Sequence, residues 1–170
     1  MKRKVFVTSV LIVLLTFLVI IISDLQSYAQ TETGKGPLIV KFAYAPEKIR
    51  KGDIWKIYLS VNDTAGNMKE VAFSIDEPGG TRYRPTFIIL KKGMQKEFTG
   101  YFALHTAASR DLSGVEITLK MTISDDKGNR KELSFPLGFD GQTMKPLPPE
   151  MEKELNRRIG IIDIDLDIES

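Results

Sequence analysis

Apolar residues recur at every second position through most of this chain, from Leu38 to Leu137, in short runs separated by turn residues. That period places successive side chains on opposite faces and marks half-buried strands. Leu38, Val40, Phe42 and Tyr44 share one face of a first run, which Pro46 ends or kinks. Trp55, Ile57, Leu59 and Val61 alternate with Lys56, Tyr58 and Ser60, and Val71, Phe73 and Ile75 follow. A Pro78–Gly80 turn leads to a shorter run, Phe87–Leu90. Phe98, Phe102 and Leu104 define the next, with Gly100 on their inward side. Val115, Ile117, Leu119, Met121 and Ile123 form the cleanest alternation, and Leu133, Phe135 and Leu137 close the set. Seven such strands predict an all-β, two-sheet sandwich with Greek-key connections. One wet face per strand excludes a parallel α/β sheet, whose strands are buried on both sides.

The chain of 170 residues suffices for one ordinary domain. It opens Met1-Lys2-Arg3-Lys4 and then runs apolar from Val5 to Ile22, with Ser27-Tyr28-Ala29 placing small residues before Gln30. A positive start, an apolar stretch and a small-x-small site describe a secretory signal peptide over 1–29, cut before Gln30. The apolar run also reaches the length of a membrane-spanning helix, so an uncleaved anchor over residues 5–22 is the rival. Both readings export the remainder, to the periplasm or the cell exterior, and touch a membrane only through that segment.

Cysteine is absent, which excludes a lipoprotein anchor, disulfides, thiolate zinc sites and a cysteine nucleophile. Residues 30–149 carry 18 Lys and Arg against 14 Asp and Glu, whereas residues 150–170 carry 3 against 7. So mild a positive balance does not point to nucleic acid.

One passage repeats. The stretch Asp63-Thr64-Ala65-Gly66-Asn67-Met68-Lys69-Glu70-Val71-Ala72-Phe73 is echoed by Asp125-Asp126-Lys127-Gly128-Asn129-Arg130-Lys131-Glu132-Leu133-Ser134-Phe135. Gly and Asn allow a tight turn, and Asp bonds backbone two residues on. The echo reads either as twin ligand loops or as one turn chemistry used twice.

The leader, these two turns (Val61-Asn62-Asp63 to Asn67, and Ile123-Ser124-Asp125 to Asn129) and the strand Phe98-Thr99-Gly100-Tyr101-Phe102 resemble bacterial immunoglobulin-like and fibronectin-type-III-like modules of exported proteins. The resemblance covers residues 37–140. It implies a seven-stranded Ig-like Greek-key sandwich and an adhesive, spacer or assembly role, with a protein or a cell-surface polysaccharide as partner. The Cys…Trp…Cys signature of antibody domains is missing, but Trp55 is placed to be a core tryptophan.

Beyond Phe139 the character changes. Residues 141–149 hold Gly141, Pro146, Pro148 and Pro149 and read as a semi-rigid linker. Glu150–Ile159 is predicted as a short helix, with acids in its first turns, Arg157 and Arg158 in its last, and Gly160 as its cap. From Ile162 the tail alternates strictly: Ile162, Ile164, Leu166 and Ile168 against Asp163, Asp165, Asp167 and Glu169. Such a segment pairs with an edge of its own sandwich, adds to a partner's sheet, or stays disordered until bound.

Motifs for catalysis are missing: no Gly-x-Ser-x-Gly, no phosphate-binding glycine loop and no His-Glu-x-x-His occur, and His105 is the only histidine. No catalytic, cofactor or metal residue is therefore assigned. Acids two apart on an extended tail are spaced about 6.6–6.8 Å, too far to wrap a calcium ion. The alternative from another class is an accessory domain of an envelope enzyme system with a carboxylate-based site. For binding, three groups stand out. The strands Trp55–Val61 and Phe98–Leu104 are expected as neighbours, bringing Tyr58 and Tyr101 onto one exposed face near Lys41 and Lys56. Arg82, Tyr83 and Arg84 with Lys91 and Lys92 form a basic-aromatic cluster that would suit an anionic polymer. The apolar tail face is the third.

Overall fold

The computed structural model describes residues 37–79, 83–139, 147 and 149–167. The expected leader, cleavage site and anchor lie outside these residues, as does most of the linker. Nine strands form: β1 (Leu38–Tyr44), β2 (Lys48–Ile49), β3 (Ile54–Asp63), β4 (Met68–Asp76), β5 (Thr86–Ile89), β6 (Glu97–His105), β7 (Glu116–Asp125), β8 (Arg130–Phe139) and β9 (Arg158–Ile162). A 3₁₀ turn at Lys92–Met94 precedes β6, and α1 (Pro149–Leu155) precedes β9.

The chain is mostly β, in two mixed sheets. The first has the order β1-β3-β6-β9 and the second β2-β8-β7-β4-β5. All pairings are antiparallel except β2 on β8 and β6 on β9. The alternating residues do what their period demands: Trp55, Ile57, Leu59, Phe102 and Leu104 from the first sheet share one core with Val71, Phe73, Leu119, Met121 and Ile123 from the second. The rings of Phe73 and Phe102 meet edge to face across the sheets, centroids 5.0 Å apart. Trp55 is fully buried, and its indole nitrogen donates to the Pro46 carbonyl at 2.7 Å, so its one polar atom is satisfied.

Three sequence expectations need correction. The described residues form nine strands, not seven. The two additions are β2, too short to show a period, and β9, whose Arg-Ile-Gly-Ile-Ile sequence does not alternate. Second, Phe42 and Tyr44 do not share a face with Leu38 and Val40. The register with β3 shifts between Val40 and Phe42, so Lys41 is a bulge residue. One extra residue reverses the phase of everything after it. Ala43 then points inward, and Phe42 and Tyr44 point out.

Third, the helix ends at Leu155 rather than Ile159, and the strand begins at Arg158, ahead of the alternating stretch. Gly160 is no cap: it sits in β9 opposite Phe102. Pairing with β6 outweighs the weak helix preference of so short a segment.

Candidate functional site

The outer face of the first sheet carries the tyrosines that the sequence places together. Tyr58 and Tyr101 are registered partners on β3 and β6, ring centroids 5.8 Å apart, and Tyr44 stacks on Tyr58 at 6.3 Å. The Lys56 ammonium sits 4.8 Å above the Tyr101 ring, within cation–π range. Lys41 is exposed in the β1 bulge. The expectation of a wet face is overturned, however. Leu147, Met151 and Leu155 pack on these rings, leaving Tyr58 only 7% exposed. Burial, with Glu152 nearby, pushes the Tyr58 hydroxyl up to about 12. This face is occupied by the chain's own α1.

The tail is likewise engaged. Chain between β5 and β6 makes only the 3₁₀ turn and no strand, so the edge of β6 has no local partner. β9 fills that edge from the far end of the sequence. Its approach depends on Gly100: a Cβ there would lie 2.1 Å from the Arg157 carbonyl oxygen, which accepts the Tyr101 amide at 2.9 Å. Ile162, Ile164 and Leu166 then enter the main core, while Ile168 lies outside the described residues. Thr86 donates its hydroxyl to the Asp163 carbonyl at 2.6 Å.

Arg110, in the loop between β6 and β7, locks the end of this segment. Its Nε donates to the Leu166 carbonyl at 2.8 Å, and its guanidinium grips Glu77 with two bonds of 3.0 and 2.7 Å. The same group donates to the Tyr83 hydroxyl at 2.6 Å, and that hydroxyl donates to Glu77. The amides of Ser109 and Arg110 both donate to Asp167. Bonding to Arg110 holds the Glu77 carboxyl below its usual range against the opposing effect of burial. Burial and the Glu77 bond push Tyr83 up to about 12. Tyr83 therefore belongs to this clamp and to the core, not to a basic-aromatic surface cluster. Arg84, Lys91 and Lys92 are exposed, and Arg82 lies outside the described residues. Arg110 carries no signal in the sequence, because a loop residue has no period to read.

The repeated loops lie side by side, joined by the Asp126 amide to the Asn67 carbonyl at 3.1 Å and by the Asn67 side chain to Asp126. Each uses its leading acid in the same way. Asp63 accepts the amides of Ala65 and Asn67, and Asp125 those of Lys127 and Asn129, at 2.8–2.9 Å. Gly66 and Gly128 supply the positive φ (70° and 85°) that closes each turn. These buried carboxylates are spent on turn amides. Among the described residues no group of three or more His, Cys, Asp or Glu side chains is placed to hold a metal ion.

Among the described residues, nothing packs over the second sheet's outer face. Ser74, Lys120, Thr122, Ser124, Ser134 and Pro136 line it, all half-buried or exposed. At its β5 edge Phe87 is 59% and Ile89 64% exposed, beside Ala72 and Glu70 of β4. Among the described residues β5 pairs only with β4. Sequence reading missed this pair because Phe87-Ile88-Ile89-Leu90 is apolar at every position and shows no phase. No protein-family model matches the chain, and no curated protein matches it.

Proposed function

We propose that this chain is an exported, non-catalytic Ig-like module that binds a protein partner through the outer face of its second sheet, at the β5 edge. The observation that carries the reading is the exposure of Phe87 and Ile89 on an edge strand. Exposed apolar edges are hazards that proteins normally blunt, and Lys91 and Lys92 follow this one as charged flanks. Two large apolar side chains in a field of Thr, Ser and Ala fit a flat protein surface better than a sugar chain.

The strand order supports the Ig-like assignment. β1-β3-β6 and β8-β7-β4 take the places of the A-B-E and G-F-C strands of that fold, with β2 running parallel to β8 along the opposite edge. The leader supports export. The rival carboxylate-enzyme reading draws nothing from Asp63, Asp125 or Glu77, whose oxygens are engaged in turns and in the Arg110 clamp.

A photo-reactive residue at position 87, and in a separate protein at position 58, tests the reading in the native compartment. A discrete protein adduct from 87 and none from 58, lost on adding Ile89→Ser, is the expected result. Equal or absent adducts from both positions would sink it.

A further inference from the structure

The groove between β5 and β6 recognises a strand by main-chain chemistry, and nothing in that recognition requires the strand to come from the same molecule. We propose that the groove also accepts the C-terminal segment of a second copy of this chain, so that copies link by exchanging β9.

Four observations carry this. The edge of β6 has no partner from neighbouring sequence, so the groove is complete only when a distant segment occupies it. Its contacts are noncovalent and largely backbone-directed: Tyr101 to Arg157, Thr86 to Asp163 and Arg110 to Leu166 all end on carbonyl oxygens of the segment. Gly100 supplies the gap through which any copy of residue 157 can approach. Finally, the join is long. Residues 140–148 separate β8 from α1, and nine residues extend to roughly 30 Å, about the width of a small domain, so α1 can leave with β9 and both can seat on a second copy.

An exchanged segment makes the same bonds and buries the same Ile162, Ile164 and Leu166, so the linked and closed forms differ little in contact energy. The balance is then set by concentration. A flexible join of this length holds its own segment at an effective concentration on the order of millimolar. Exchange therefore becomes prominent when copies are crowded to that level, and its rate is the rate at which β9 lifts from β6.

The cysteine-free sequence makes a clean test possible. Ala103 and Ile161 are registered neighbours across β6 and β9. One full-length chain carries Ala103→Cys, another Ile161→Cys, and a third carries both. The first two are mixed at about millimolar concentration, held a few degrees below melting, cooled and oxidised. A heterodimer linked 103 to 161, exceeding homodimers of either variant, is the expected product. No heterodimer, while the double variant closes its bond within one chain, would show that the segment stays at home and overturn the proposal. Tyr101→Cys with Arg158→Cys, another registered pair across β6 and β9, serves should the Ala103→Cys substitution prevent folding; the same two outcomes decide it.

Discussion

The two outer sheet faces come from strands with the same period and are treated in opposite ways. On the first sheet the outward positions include the aromatic group Phe42, Tyr44, Tyr58 and Tyr101 beside Lys56, Ser60 and Thr99, and the chain lays Leu147 and α1 over the aromatic group. On the second they include Ser74, Lys120, Thr122, Ser124 and Ser134, and no other described residues cover them. Outward composition decides whether a sandwich face needs a cover. An aromatic face left in water forfeits roughly 25 cal/mol for each Å² of apolar surface, so a segment that shields it stabilises the whole. A Thr/Ser face gains nothing by being shielded. Phe87 and Ile89 break that logic on the bare face, and they are the residues that a partner would explain.

The strongest way to break the contrast is to remove the covering segment's anchor. A chain ending at Gly160 loses Ile162, Ile164 and Leu166, each worth about 1.5–3 kcal/mol when fully buried. That sum is a large part of the roughly 5–15 kcal/mol typical of a domain. Thermal melting should fall by roughly 15 °C or more, or cooperative unfolding should vanish. Unchanged melting would mean that the segment is an ornament. Gly100→Ala should act in the same direction with a smaller effect, about 2–4 kcal/mol, because the new methyl collides with the Arg157 carbonyl and β9 must move. Its signature is faster hydrogen exchange at the Tyr101 amide, with β7 and β8 protected as before. If exchange accelerates uniformly instead, β9 and the rest of the sandwich unfold together.

A gentler perturbation acts through the Arg110 clamp. The folded Glu77 carboxyl titrates below its ordinary value of 4.5, and Asp167 below 3.8 where it accepts the amides of Arg110 and Ser109. Lowered folded values mean that the stabilisation is complete above the unfolded values and is lost as pH falls through the folded ones. Stability should therefore be level near neutrality and decline below about pH 4. Glu77→Gln should cost about 1 kcal/mol at pH 7 and flatten part of the acid slope, as urea titrations at about pH 7 and pH 3 can measure. An acid slope identical in the variant would place the titrating group elsewhere.

How much of this was legible in the sequence follows from what each residue's signal depends on. The strands β3, β7 and β8 could be read directly, because Trp55–Val61, Val115–Ile123 and Leu133–Leu137 carry an apolar residue at every second position and bury that side, β3 burying Tyr58 on the other as well. The pairing of Tyr58 with Tyr101 could be read too, given the sandwich. The bulge at Lys41 could not, since a single inserted residue leaves no trace in Leu38-x-Val40-x-Phe42-x-Tyr44 yet reverses its phase. Nor could the covering of Tyr58, because a helix of seven residues chooses its resting place through tertiary contacts. Alternation at the tail correctly marked Ile162, Ile164 and Leu166 as a burying face. It misplaced the strand itself, which is set by the gap at Gly100 and so by a residue far upstream in the chain.

Side-by-side melting of Tyr58→Ser and Phe87→Ser weighs the two faces against each other. Tyr58 lies beneath Leu147 and Leu155, so its loss should cost about 2–3 kcal/mol and lower melting by roughly 10 °C. Phe87 touches the bare face, and its loss should change stability by no more than about 0.5 kcal/mol, roughly 2 °C. Equal losses, or a larger one at Phe87, would contradict the division into one face covered from within and one left open for a partner.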